Sequence, residues 1–200
     1  MKDKSILLLS SGLESTVLAY TLKPKYALTI DYGQICAESE IKASSKICEQ
    51  FDIQHFIYTC NLKSLGFGEL FGEKKSSLSG LLEWTPYRNQ FLLTIASMYA
   101  IKVGVEKIII GTVKDDESYS DGRSLFFEQF NALLKCQEGG IQVMTPGINL
   151  SSFEMIKSSG ISINILRWGF SCTKHKYACG ICRSCLKKQH ILEKLETEQY

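Results

Sequence analysis

The sequence lacks most of what would set it apart from ordinary globular proteins. It has only three prolines among 200 residues, with 44% hydrophobic and 22% charged residues, which argues against disorder, collagen-like repeats and coiled coil. It has no run approaching the ~18 apolar residues of a membrane helix, so no membrane partner is expected. The apolar run behind Met1-Lys2-Asp3-Lys4 is too short for a signal peptide, which points to the cytoplasm. Neither sign of charge dominates: 23 Lys and Arg against 21 Asp and Glu leave +2, too little to recruit nucleic acid by charge alone. No G-x-G-x-x-G, no G-x-x-x-x-G-K-[ST], no Ser/His/Asp triad and no internal repeat is present.

Cysteine is the exception, with eight copies. A domain of this size buries roughly 70% of its unfolded surface and needs no staple. In a reducing compartment, clustered thiols signal metal or redox chemistry more than disulfides. Cys172, Cys179, Cys182 and Cys185 give the spacing C-x6-C-x2-C-x2-C, with Gly180 freeing the turn. Four soft thiolates suit a closed tetrahedral Zn²⁺ site without a catalytic opening. His175, inside the first gap, is an alternative ligand or a surface residue. Cys36, Cys48, Cys60 and Cys136 are scattered and read as small buried apolar residues, with a reactive role left open for Cys36.

Short apolar runs at 6–9, 26–30, 55–59, 107–110 and 141–144 read as strands. Helical spacing covers Glu14 to Leu22, Glu38 to Phe51, Asn89 to Val103 and Leu125 to Leu134, and Pro24 is expected to stop the first helix. Strands buried on both faces and separated by helices predict α/β architecture, a doubly wound, mostly parallel sheet. Residues 61–84, with Gly66, Gly68, Gly72 and Gly80, interrupt the rhythm and read as a lid or a plain connection. The expected organisation is an α/β unit over 1–167, then a zinc-binding knuckle and a polar helix, Cys182 to about Glu196, over 168–200 of the same domain.

The first strand, turn and helix run Leu8-Leu9-Ser10-Ser11-Gly12-Leu13-Glu14-Ser15-Thr16. Serine hydroxyls and free N–H groups at a helix N-terminus make an anion site, although helix capping alone explains such a turn. Brändén's rule expects 10–14, 31–34 and 111–123, all following strands, to converge on one crevice.

This turn resembles the S-G-G-x-D-S loop of the ATP pyrophosphatase (PP-loop) superfamily. Ser10, Gly12 and Ser15 match, while Ser11 replaces a glycine and Glu14 an aspartate. Further along, Asp31-Tyr32-Gly33-Gln34 resembles the D-Y-G-Q segment of the 7-cyano-7-deazaguanine synthase family. Thr85-Pro86-Tyr87-Arg88-Asn89 is similar to its V-P-G-R-N, with Tyr87 for glycine, and Tyr119-Ser120-Asp121-Gly122-Arg123 to its Y-P-D-C-R. Thr145-Pro146 with Asn149-Leu150-Ser151, and the cysteine knuckle, complete a likeness spanning nearly the whole chain.

The resemblance implies an adenine nucleotide alpha hydrolase-like, Rossmann-like fold and a queuosine-pathway ligase using ATP, Mg²⁺ and Zn²⁺. The carboxylate of 7-carboxy-7-deazaguanine would be adenylated, ammonia would form an amide, and a second activation would give the nitrile. Ser10, Glu14 and Arg88 would be the catalytic set, Glu14 organising Mg²⁺. Leu8 to Thr16, Asp31, Arg88 and Asn89 would bind the nucleotide. Tyr32, Gln34, Asp116, Asp121 and Arg123 would bind the deazaguanine, with Asp121 preferred over Asp116 for its N–H edge. Three other readings remain open. One is a paralogue joining a deazaguanine acid to a protein amine in antiphage defence, with a protein substrate. The others are a sulfur transferase of the same superfamily and an inactive nucleotide-binding subunit. A homodimer is compatible with the family.

Overall fold

Strand residues alternate between two packed faces, and that alternation builds the molecule. The computed structural model describes residues 3–66, 68–79 and 81–197; Met1, Lys2 and Gly80 lie outside the described residues. Five parallel strands form one sheet: β1 (Asp3–Leu8), β2 (Pro24–Asp31), β3 (Gln54–Thr59), β4 (Lys107–Ile109) and β5 (Gln142–Met144), in the order β3-β2-β1-β4-β5. Ile6, Leu28 and Ile108 project to one face; their neighbours Leu7, Ala27 and Ile109 project to the other. The first face is covered by α3 (Arg88–Val103) and α4 (Ser124–Leu134), through Leu93, Ala96, Phe127 and Phe130. The second is covered by α1 (Leu13–Leu22), α2 (Ala37–Phe51), α5 (Ser152–Ser159), α6 (Ile163–Trp168) and α7 (Arg183–Thr197). This is the doubly wound parallel architecture that the apolar runs predict.

Two helices, α5 and α6, have no counterpart in the periodicity reading. Eight and six residues long, they carry too few turns for a 3.6-residue pattern to stand out. Pro24 is the first residue of β2, and Lys23 ends α1 in the left-handed conformation. At the β5 edge of the sheet, the Asn131 side chain accepts from the Val143 N–H (2.8 Å) and donates to the Val143 carbonyl (3.0 Å). It thereby pins the three-residue strand β5 to α4.

The 61–84 segment is anchored at several points. Two 3-10 turns, Lys63–Leu65 and Glu69–Phe71, bring Leu70 and Phe71 into the first-face core. Glu69 accepts from Thr173 and pairs with Lys174, and Glu83 accepts from Tyr119. Gly68 is required here: at φ +76, an added Cβ would lie 2.1 Å from the Leu82 carbonyl oxygen. The expectation of scattered buried cysteines holds for Cys36 and Cys48, but Cys60 is half-buried and Cys136 exposed. No helix among the described residues is long and apolar enough to cross a membrane.

Candidate functional site

The order of strands reverses at β1, whose neighbours β2 and β4 lead off in opposite directions. Loops leaving the carboxyl ends of such strands diverge and open a crevice. A cavity of about 340 Å³ lies there, with a second of about 270 Å³ beside it. Leu8, Leu9, Ser10, Glu14, Ser15, Tyr32, Arg88, Asn89 and Asp116 line the larger one. Gly12 and Leu13 join Ser10 and Glu14 around the smaller one. Gly111, which ends the β4 run, touches the start of α1 so closely that a Cβ would stand 3.0 Å from the Ser15 nitrogen.

The loop 10–12 presents its backbone rather than a cap. Gly12 precedes α1 with no side-chain hydrogen bond to the helix, so the first-turn N–H groups are left without a side-chain partner. The Ser10 and Ser15 hydroxyls are 3.4 Å apart, and Thr16 Oγ1 donates to the Gly12 carbonyl at 2.8 Å. Ser11 is fully buried at φ +58. Its hydroxyl donates to the Phe170 carbonyl (3.4 Å) and its own carbonyl accepts from the Phe170 N–H (3.0 Å). Ser11 thus ties the loop to the segment before the cysteine cluster, and its side chain does not reach the cavity. Tyr87, the second residue standing in for a glycine, also keeps the left-handed conformation, at φ +54.

Arg88 starts α3 behind this strained residue. Burial works against its charge, but the field of Tyr32, Asp121, Tyr119 and Asp116 more than offsets it and raises the pKa. Asp121 Oδ2 accepts from the Asn89 N–H (3.2 Å), and its carbonyl accepts from Asn89 Nδ2 (2.9 Å). The carboxylate preferred from the sequence for the substrate edge therefore caps α3 instead and does not line the cavity. Asp116 does line it, with Oδ2 accepting from the Val113 N–H at 3.1 Å; burial raises its pKa. Three further residues stand outside the cavity wall. Asp31 accepts from the Gly33 N–H (3.0 Å) and Arg123, exposed, donates to the Glu117 carbonyl (2.8 Å). Gln34 is buried, its Oε1 accepting from the Tyr32 N–H (2.8 Å) and its Nε2 donating to Glu40 (2.8 Å). Gln34 thus bonds the Tyr32 backbone and the Glu40 carboxylate.

Several cavity residues escape nomination from sequence. Glu40 lines both cavities, its pKa raised by burial against the opposing pull of Gln34, Cys36 and Arg88. It lies in Glu38-Ser39-Glu40, the run that follows the D-Y-G-Q segment, one turn into α2, and the sequence gives that run no role in the site. Glu83 comes from the 61–84 segment. Lys187 comes from α7 and pairs with Glu14 at 2.8 Å across 173 positions of chain, a separation no local pattern reveals. Glu14 Oε1 also accepts from the Ser152 hydroxyl at 2.6 Å. The Glu14 carboxylate therefore meets two partners from the C-terminal third of the chain.

The sulfurs of Cys172, Cys179, Cys182 and Cys185 all lie within 4.8 Å of one another. Four thiolates around a tetrahedral ion at ~2.3 Å would stand about 3.8 Å apart, close to the 4.0 Å between Cys172 and Cys182. The Cys182 and Cys185 N–H groups each donate to the sulfur three residues back, at 3.4 Å. The Ile181 N–H, with that of Cys182, pulls the Cys179 thiol down to about 6, as a thiolate ligand requires. The cluster fits zinc. His175 is not in it; its ring stacks on Tyr177 at 5.0 Å. Cys36 is fully buried and desolvation drives its pKa up, which leaves no reactive thiol there.

The profile of a family described as queuosine biosynthesis protein QueC matches residues 4–196. The 7-cyano-7-deazaguanine synthase of Chlorobium chlorochromatii is 30% identical, covering 98% of this chain and 93% of its own. That of Methanocaldococcus jannaschii is 28% identical, covering 93% of each chain. Among solved structures, NMN synthetase from Francisella tularensis shares the fold with a TM-score of 0.51 at 16% identity. That likeness covers 98% of this chain and 78% of that one.

Proposed function

Since the chain belongs to the QueC family of queuosine biosynthesis proteins, we propose that it is an ATP-dependent carbon–nitrogen ligase that makes 7-cyano-7-deazaguanine from the 7-carboxy acid and ammonia. The family match over almost the full chain carries this reading. It is supported by the convergence of Ser10, Ser15, Arg88 and Asp116 on one crevice. The named relatives favour it over protein conjugation, sulfur transfer and an inactive subunit.

The roles follow from the chemistry of the groups. A substrate carboxylate oxygen forms a bond to the α-phosphorus of ATP, and the bond from that phosphorus to the bridging oxygen breaks. Pyrophosphate leaves with the electron pair. Ser10, Ser15 and the first-turn N–H groups of α1 hold the phosphates, because a helix N-terminus favours negative charge. Arg88 offsets charge developing on the α-phosphate oxygens, held by the carboxylates and phenols around it. Asp116 takes the role first given to Asp121 and accepts from the adjacent N–H donors of the deazaguanine edge. Asn89, fixed by Asp121, shapes the nucleoside side of the crevice. Glu14 and Asp115 offer hard oxygen donors at the crevice, the type Mg²⁺ takes, and the ion would neutralise phosphate charge. Ammonia then attacks the acyl-adenylate to give an amide and AMP, and a second ATP-dependent activation removes water to give the nitrile. Positioning and charge neutralisation carry the rate, and no side-chain nucleophile is needed.

The test is incubation of the protein with ATP, the 7-carboxy acid and ¹⁵N-labelled ammonia, followed by mass spectrometry. AMP, pyrophosphate and a labelled nitrile are expected. No acid-dependent consumption of ATP would defeat the proposal, and an adenylate that never becomes nitrile would turn it toward conjugation to another amine.

A further inference from the structure

We propose that Lys187 is a catalytic residue whose ammonium binds the β- and γ-phosphates of the nucleotide and stays with them as pyrophosphate leaves. This rests on the ATP-dependent reading above and adds to it a residue from the opposite end of the chain.

Arg88 and Lys187 are the cations that line the smaller cavity, where the N-terminus of α1, Ser10 and Ser184 also face. The same cavity carries Glu14, Glu40 and Asp116. A polyphosphate placed among three carboxyl groups needs cationic partners close by, since like charges a few Å apart repel strongly outside bulk water. Arg88 stands at the start of α3 and lines the larger cavity as well, as does Lys187. Lys187 stands against the phosphate loop itself, its Nζ 2.8 Å from Glu14 Oε1 and 4.0 Å from Asp115 Oδ2. Its side chain is half-buried and lines both cavities.

The base of this side chain is fixed, and its tip is held by Glu14 at the cavity. Downstream in α7, Ile191 and Leu195 are buried against the second face of the sheet. Upstream, the chain is sewn to the phosphate loop by the paired bonds between Ser11 and Phe170. Gly169 is required at this junction, because a Cβ would fall 2.6 Å from the Ser11 carbonyl oxygen. From that base, a four-carbon stem lets the ammonium pass from Glu14 to a phosphate oxygen by rotamer changes alone. A lysine suits this task as a compact point charge that follows the leaving group. No proton is transferred: the ammonium donates hydrogen bonds while the bond from the α-phosphorus to the leaving oxygen breaks.

Two measurements on the full-length, zinc-loaded protein test the proposal. In calorimetry, Lys187→Met is expected to weaken an α,β-methylene ATP analogue by at least about tenfold, the scale of a lost charge-assisted hydrogen bond. Binding of AMP should change by less than about twofold, and Lys187→Arg should recover most of the lost affinity. Equal loss for the ATP analogue and AMP would show a purely structural role and overturn the proposal, as would unchanged binding in a folded Lys187→Met. The second measurement uses the unaltered protein and does not depend on a variant folding. The ATP analogue, and not AMP, should protect Lys187 from acylation by acetic anhydride, read by peptide mass spectrometry. Equal labelling under both conditions would overturn the assignment while leaving the ligase reading intact. An unaltered protein that binds no ATP analogue would overturn both.

Discussion

Two residues beside the crevice hold a backbone conformation that L side chains resist. Ser11 at φ +58 and Tyr87 at φ +54 stand where the resembling motifs carry glycine, and the fold keeps the left-handed geometry despite the substitutions. Such a position costs roughly 1–2 kcal/mol for a residue with a Cβ. Ser11 recovers part of that through its bonds to Phe170. Tyr87 does not, being 77% exposed. Tyr87→Gly is therefore expected to stabilise the protein by up to about 1 kcal/mol, after the extra chain entropy of glycine is counted. In thermal unfolding this is a rise of about 2–4 °C, and a fall would show that the ring packs productively.

Glu40 carries a pH dependence of its own. Burial raises its folded-state pKa above the ordinary carboxylate value. Its stabilising contribution is therefore full below the unfolded pKa and is lost as pH rises through the folded value. Glu40→Gln keeps an acceptor for Gln34 and removes the buried charge. The variant should melt higher than the parent at pH 7.5 and at the same temperature near pH 4. A lower melting temperature at pH 7.5 would mean that attraction to Arg88 outweighs desolvation.

At the scale of elements, the short pieces depend on local chemistry more than on apolar area. α5 has eight residues and a reciprocal cap: Ser151 Oγ accepts from the Glu154 N–H (3.2 Å), and Glu154 Oε2 accepts from the Ser151 N–H (2.8 Å). Its next residue, Ser152, holds Glu14. Ser151→Ala should cost about 1 kcal/mol, a drop of about 2–4 °C in melting temperature. Because α5 positions Ser152, ATP affinity should fall as well, and an unchanged affinity would show that the cap and the site are uncoupled.

The longer elements were legible in the sequence for the opposite reason. Each of the five strands contains an apolar run, packed on both faces in β1, β2 and β4 and on one face in the edge strands β3 and β5, and α2, α3 and α4 span several turns of alternating character. Their boundaries fall within a few residues of the periodicity. α6 is six residues ending at Trp168, and its C-terminal carbonyls, of Arg167 and Gly169, accept from Lys188 of α7. A helix closed by a side chain some twenty residues away leaves no local signature.

The whole molecule joins its two ends at the crevice. The turn before α1 and the start of that helix come from the first fifteen residues, and their partners Phe170, Lys187 and Ser152 come from the last fifty. Removing the metal expected at the four cysteines should therefore disturb nucleotide binding as well as stability. Dialysis against a strong chelator, or Cys182→Ser, should release one equivalent of zinc and lower the melting temperature. Elemental analysis with calorimetry checks this, and a metal-free protein of unchanged stability would remove zinc from its structural role.

The amino-acid sequence by itself determined the α/β class, the strands of the sheet, the cysteine cluster and the motifs at the strand ends. All of these are local: a period of two or 3.6 residues, a spacing of two between cysteines, a turn between a strand and a helix. Only the tertiary structure decided that Asp116 and not Asp121 faces the cavity, and that Gln34 bonds the Tyr32 backbone and Glu40. Only there do Glu40 and Lys187 join the site. Those assignments depend on which way a side chain turns once distant segments pack, as when Asp121 meets the bare N-terminus of α3 and Lys187 meets Glu14 across 173 positions of chain. Packing of that kind has no period along the chain.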